Sequence, residues 1–128
     1  MKTLGLYIHV PFCKSKCGYC DFNSYAGKEQ RAEAYFSALK KEIKAASEDD
    51  VAVDTIYFGG GTPTFVSPRY IAETIETAKE YFEQCSNAEI TVECNPGTID
   101  FKGLKELRSA GVNRLSIGLQ SADHSLHY

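Results

Sequence analysis

A chain of 128 residues with 14 basic and 17 acidic side chains has a formal charge of −3, a field too weak to draw a polyanion or an anionic bilayer to its surface, so nucleic acid and membrane are set aside as partners. The length suits one domain and falls short of a complete α/β barrel. The first ten residues hold one lysine and a short apolar stretch broken by His9, with no cleavage site or membrane span, and five cysteines, three of them between positions 13 and 20, suit ligand thiols in a reducing compartment such as the cytoplasm.

Thr3 to Val10 alternates, with Leu4, Leu6, Ile8 and Val10 on one face, which is strand periodicity ended by Pro11. After a loop holding Cys13, Cys17 and Cys20, the spacing of Phe36, Leu39, Ile43 and Ala46 predicts an amphipathic helix from about residue 29 to 47. Glu48-Asp49-Asp50 reads as a solvated loop. A second strand, Thr55 to Phe58, runs into Gly59-Gly60-Gly61. Ser67 then caps a helix with Pro68 at its first position, continued on one face by Ile71, Ile75, Ala78 and Phe82 and ended by Cys85. Glu89 to Glu93 forms a third strand, Asn95-Pro96-Gly97 a turn, and Asp100 caps a short helix bearing Leu104 and Leu107 that stops at Gly111. Arg114 to Leu119 is strand four.

The order βαβαβαβ predicts an α/β fold with parallel strands and right-handed crossovers, either an open sheet or a section of barrel. If Leu6, Ile8, Ile90, Val92, Leu115 and Ile117 meet the helices, the other face carries Tyr7, His9, Thr91, Glu93, Ser116, Gly118 and Gln120. Ligands of parallel α/β folds bind at the C-terminal strand ends, where Glu93, Gln120 and the loops after strands one and two converge. Either residue by itself could also be a solvated strand terminus.

Cys13-x3-Cys17-x2-Cys20 places three thiolates within eight residues, a density that suits a soft metal centre. Three sulfurs on a four-iron cluster leave one iron free for a small chelating molecule. A zinc site would recruit His9, Cys85 or Cys94 as fourth ligand, but no second C-x2-C or H-x3-H clip accompanies the first. The glycine run matches neither a phosphate-binding P-loop nor a dinucleotide fingerprint.

Five motifs in one order carry a resemblance. Tyr7-Ile8-His9-Val10-Pro11-Phe12-Cys13, the cysteine spacing with Tyr19 before Cys20, Phe58-Gly59-Gly60-Gly61-Thr62-Pro63, Val92-Glu93-Cys94-Asn95-Pro96-Gly97 and the stretch from Ala110 to Gln120 resemble the radical S-adenosylmethionine (SAM) proteins of the oxygen-independent coproporphyrinogen III oxidase group. The resemblance implies the first four strands of a partial TIM-like barrel, with residues 1–128 as the N-terminal portion of a radical SAM core and the remaining strands and a C-terminal domain beyond it. Strand four would then be an edge, with Leu115, Ile117 and Leu119 waiting for a covering helix.

For the site, the resemblance implies a [4Fe–4S] cluster on Cys13, Cys17 and Cys20, with SAM chelating the fourth iron and its sulfonium bond cleaved on reduction to a 5′-deoxyadenosyl radical. Tyr7 would lie near cluster and SAM, Tyr19 along the adenine, and Gly60, Gly61 and Thr62 would bring their backbone to the methionine end. Glu93 and Gln120 would hydrogen-bond the ribose hydroxyls and the methionyl or adenosyl portion. An electron donor for the cluster is implied as a partner. The oxidases of the group carry another cysteine two residues past the third ligand and a long N-terminal arm, whereas Phe22 stands at that position and strand one starts near Met1. Both departures favour the haem chaperone branch, with haem and haem-accepting apoproteins as partners and the haem-holding features beyond residue 128. Porphyrinogen decarboxylation and a zinc-stabilised interaction module are the alternatives.

Overall fold

A computed structural model of the chain describes residues 2–12 and 25–117. Four strands, β1 (Lys2–Val10), β2 (Val51–Gly60), β3 (Glu83–Cys94) and β4 (Arg114–Ile117), alternate with three helices, α1 (Tyr25–Ala45), α2 (Pro68–Tyr81) and α3 (Phe101–Ala110). All neighbouring strands pair in parallel, and their order in the sheet is their order in the chain. Each crossover therefore advances in the same direction, which is the winding of a barrel wall and not of a doubly wound sheet. The α/β class and the four (βα)-type strands expected from periodicity are present.

Alternation decides what the helices cover. Along β1, Ile8 and Val10 are buried while Tyr7 and His9 are exposed, and Ile56, Phe58, Ile90 and Val92 continue the buried face across the sheet. Against it lie Ala32, Phe36 and Ile43 of α1, Ile71, Ile75 and Ala78 of α2, and Leu107 of α3. Burial of each large aliphatic or aromatic side chain here is worth about 1.5–3 kcal/mol. Phe36 stacks on Tyr70 at 5.0 Å and meets Tyr35 edge-on at 5.3 Å, joining α1 to α2. Over β4 this face is open, with Leu115 39% and Ile117 54% exposed.

Several boundaries differ from the sequence reading, for physical reasons. Ala46 is exposed and Ala32 takes its place in the core, so α1 runs earlier than expected. Strand two extends at both ends because Val51, Ala52 and Val53 are buried and pair with the start of β1. Helix α2 stops at Tyr81, with Phe82 still buried at its C-cap. Cys85, expected at a helix end, lies instead in β3. There Glu83 and Gln84 pair with Ala52 and Val53 before the register slips, Thr55 pairing next with Glu89. A stretch of polar residues with no alternation gives no strand signal; its extended form comes from its partner.

Caps fix the loops that follow. Asp100 accepts from the Gly103 amide at 2.8 Å, and Asn95 folds its side chain onto the Gly97 amide at 3.1 Å. Gly111 ends α3 at φ +121°, a left-handed conformation suited to glycine. Asn113 then clamps β3: its Oδ1 accepts from the Ile90 amide at 2.9 Å and its Nδ2 donates to the Ala88 carbonyl at 3.1 Å, setting the register in which β4 begins.

Candidate functional site

The uncovered face of the sheet is polar and converges at the C-terminal strand ends. Register pairs Tyr7 with Tyr57, Tyr57 with Thr91, His9 with Gly59, and Glu93 with Ser116, so these side chains share one face. Tyr7 is 61% exposed, a large aromatic ring left open on the side that a barrel of this winding turns inward. It stacks on Tyr57 with ring centres 5.9 Å apart and planes 16° from parallel. The Tyr57 hydroxyl donates to Glu93 Oε2 at 2.8 Å. That bond is the main reason its phenol ionises above the usual tyrosine range; a Ser116 hydroxyl contact pulls the other way, burial and the carboxylate charge add to the rise, and Arg114 opposes it. Of the polar-face residues expected from alternation, Tyr7, His9, Thr91, Glu93 and Ser116 are found together; Gly118 and Gln120 lie outside the described residues.

The loop after β2 is fastened to the chain entering the cysteine segment. Gly61 donates its amide to the Val10 carbonyl at 2.8 Å and Thr62 to that of Phe12 at 2.7 Å, extending the β1–β2 ladder to the residue before Cys13. Tyr35 of α1 donates its hydroxyl to the His9 carbonyl and packs edge-on against Phe12 at 5.7 Å. At Gly60, whose φ is +113°, a Cβ would lie 2.6 Å from His9 Nδ1; at Gly61 it would lie 2.6 Å from the Phe12 carbonyl oxygen. The glycines therefore let two backbones run side by side. Thr64 joins this loop to the next, bonding Thr98 Oγ1 at 2.5 Å and accepting from the Asn95 amide at 3.2 Å. Two of the sequence motifs are thus physically tied.

Cys13, Cys17, Cys20 and Tyr19 lie outside the described residues. The other two cysteines are poor ligand candidates. Cys94 is buried on the aliphatic face, opposite Glu93, and burial pushes its thiol up against a smaller lowering by Thr64, keeping it protonated. Cys85 sits near the N-terminal end of β3, remote from the strand ends that carry Glu93. Among the described residues no group of three His, Cys, Asp or Glu side chains could hold a metal ion, so His9, Cys85 and Cys94 do not form a common site. A cleft of about 480 Å³ opens elsewhere, between the loops at Thr64–Pro68 and Gly97–Asp100 above Ala32. It includes neither Tyr7 nor Glu93, and the hydroxyls of Thr64 and Thr98 within it already bond each other.

A parallel sheet wound in chain order, with polar side chains gathered on one face toward its C-terminal strand ends, is the architecture of a (βα) barrel wall, a class whose ligands bind at those ends. The chain belongs to the radical SAM superfamily, whose family model matches residues 7–127. It is similar to the haem chaperone HemW of Escherichia coli, 41% identical over 128 residues that cover 94% of this chain and 33% of that protein. It is also similar to HemW of Buchnera aphidicola, 34% identical over 98% of this chain and 34% of the relative. The solved structure of coproporphyrinogen III oxidase (HemN) from Escherichia coli, a radical SAM enzyme, superposes with a TM-score of 0.77 at 31% identity, covering 91% of this chain and 27% of that one. The chain spans about a third of the length of the curated relatives it matches.

Membership implies a [4Fe–4S] cluster and SAM. The residues present fit them. The thiolate triplet is a soft donor set, and the open face supplies an exposed ring at Tyr7 and a carboxylate at Glu93 beside the anchored start of the cysteine segment. Among the described residues, no helix is long and apolar enough to cross a membrane.

Sequence reasoning missed Tyr57 and Tyr35, and gave no role to Gly59 and Asn113 although both stand in the motifs it singled out. Tyr57 was hidden because Tyr57 and Phe58 put a large aromatic ring on each face of a four-residue segment, too short for alternation alone to say which ring meets the helices.

Proposed function

We propose that this chain supplies the cluster- and SAM-binding portion of a cytoplasmic haem chaperone, a protein that binds haem and passes it to apoproteins. The observation that carries the reading is the polar face at the strand ends, where Tyr7 and Glu93 stand beside a loop pinned at Phe12, together with relatives at 34–41% identity that bear the chaperone name. Cys13, Cys17 and Cys20 would hold the cluster, and SAM would complete the fourth iron. A cluster held by these thiolates would supply the electron that SAM reduction needs. The protein's own groups orient the ligand: Glu93 as acceptor and Gln120 as donor and acceptor toward its hydroxyl and amino groups, Tyr7 and Tyr19 as rings, and the backbone of Gly60, Gly61 and Thr62 along the methionine end. An electron donor, haem and haem-accepting apoproteins are the partners this requires.

Phe22, in place of the further cysteine of the oxidases, favours the chaperone over porphyrinogen decarboxylation, while the likeness to the oxidase structure keeps that reaction as the second reading. Protein extended to include the haem-holding region expected beyond residue 128, reconstituted anaerobically, is expected to shift the haem Soret band and hand haem to an apo-acceptor without consuming coproporphyrinogen. Decarboxylation coupled to 5′-deoxyadenosine release would overturn the chaperone reading.

The SAM placement has its own test. Glu93→Ala and Gln120→Ala each remove a hydrogen bond worth about 0.5–1.5 kcal/mol, or about 1.5–3 where the carboxylate is charged. SAM affinity measured by calorimetry should fall a few-fold to tens of fold with cluster iron unchanged. Undiminished affinity in both variants would refute the placement of SAM across the strand ends.

A further inference from the structure

Tyr57 stands on the strand between Tyr7 and Glu93 and touches both. Its ring lies along that of Tyr7, and its hydroxyl meets the Glu93 carboxylate at 2.8 Å. We propose that Tyr57 is a positioning residue for SAM, fixing the Glu93 carboxylate through its hydroxyl and the Tyr7 ring through its own, so that the two strands flanking β2 present their groups to one ligand in a set orientation. The proposal rests on the reading of Glu93 as a SAM contact.

A carboxylate at a strand end on an open face rotates freely unless something holds it. Among the described residues Tyr57 is the hydrogen-bond donor to Glu93, and it takes Oε2, leaving Oε1 to accept from a ligand hydroxyl or ammonium. The bond is charge-assisted, and such bonds are the stronger ones. Gly59, two residues on and on the same face, makes the cluster possible. A Cβ there would lie 2.8 Å from the Tyr7 hydroxyl oxygen, 2.9 Å from the Tyr57 ring and 3.2 Å from the Glu93 carboxyl carbon. Three side chains from three strands converge on the space that this glycine leaves. Phenylalanine at position 57 would keep the stack and lose only the hydrogen bond.

The test is a double-mutant cycle on anaerobically reconstituted protein, with SAM itself as the titrant. Tyr57→Phe is expected to weaken SAM binding roughly three- to thirtyfold with iron content unchanged. In the Glu93→Ala background the same substitution should add less than about twofold, because the group it acts through is gone. A spectroscopic readout separates positioning from packing. The phenol absent from Tyr57→Phe in alkaline difference spectra should ionise above the ordinary tyrosine range in the parent protein and return toward it in Glu93→Gln. Normal SAM affinity in Tyr57→Phe beside weakened affinity in Glu93→Ala would overturn the proposal alone, as would an equal loss from Tyr57→Phe in both backgrounds. Normal affinity in Glu93→Ala would instead remove the Glu93 reading, and the proposal with it.

Discussion

Replacing Cys13, Cys17 or Cys20 with alanine is expected to abolish the sulfur-to-iron absorption of the reconstituted protein, while Cys85→Ala and Cys94→Ala keep it. The parent protein should load about four irons per chain. The asymmetry follows from where the cysteines lie. A thiol must lose its proton to bind iron; burial of Cys94 raises the cost of that loss, and its side chain is on the opposite face of β3 from Glu93. Cys85 belongs to the first, irregular part of the same strand, at the far end from the loops that carry the motifs. Iron and sulfide analysis together with the visible spectrum decides the matter. If Cys94→Ala bleached the protein as fully as Cys17→Ala, the three-ligand model and the iron left open for SAM would both be wrong.

Much of this site was legible because strand alternation is a local property. Leu6 and Ile8, then Ile90 and Val92, show which way their strands face, and the facing of Tyr7, Thr91 and Glu93 follows without knowledge of the sheet. The Ser67-Pro68 start of α2 and the Asp100 cap of α3 were equally readable, since a cap is a contact over two or three residues. What stayed hidden depends on partners distant in the chain. The first part of β3 is extended only because Ala52 and Val53 pair with it, and Asn113 looks like an ordinary loop residue until its amide is seen bonding Ile90 and Ala88. The glycine run shows the same limit. Close approach to a ligand came only from the family resemblance, and the neighbours that Gly60 and Gly61 cannot give way to are His9, Val10 and Phe12 of this same chain.

That finding leads to the second large effect, expected at Gly61→Ala and Gly60→Ala. A Cβ on Gly61 would fall 2.6 Å from the Phe12 carbonyl oxygen, 3.0 Å from its carbon and 3.2 Å from the Val10 oxygen. These are backbone atoms, and the bonds Gly61 to Val10 and Thr62 to Phe12 hold them where they are. No rotamer change relieves such a clash; the ladder must open. Gly60→Ala meets the His9 ring at 2.6 Å and also forces alanine to φ +113°. Overpacking of this kind costs about 1–3 kcal/mol, and a left-handed backbone on a residue with a Cβ adds about 1–2 kcal/mol. Against a typical domain stability of about 5–15 kcal/mol, and with about 4–8 °C of melting temperature per kcal/mol for a small domain, either variant should melt many degrees below the parent. Gly97→Ala is the control, since its Cβ would meet only the Asn95 side-chain oxygen at an ordinary 3.7 Å. Opening the ladder also releases Phe12, the residue that delivers the chain to Cys13, so cluster loading should fall together with stability even when SAM is absent. If the glycines served only to admit the ligand, Gly61→Ala would melt like the parent, load its iron fully and fail only in SAM binding. Melting curves and iron content of the SAM-free protein distinguish the two, and the backbone contacts predict loss in both.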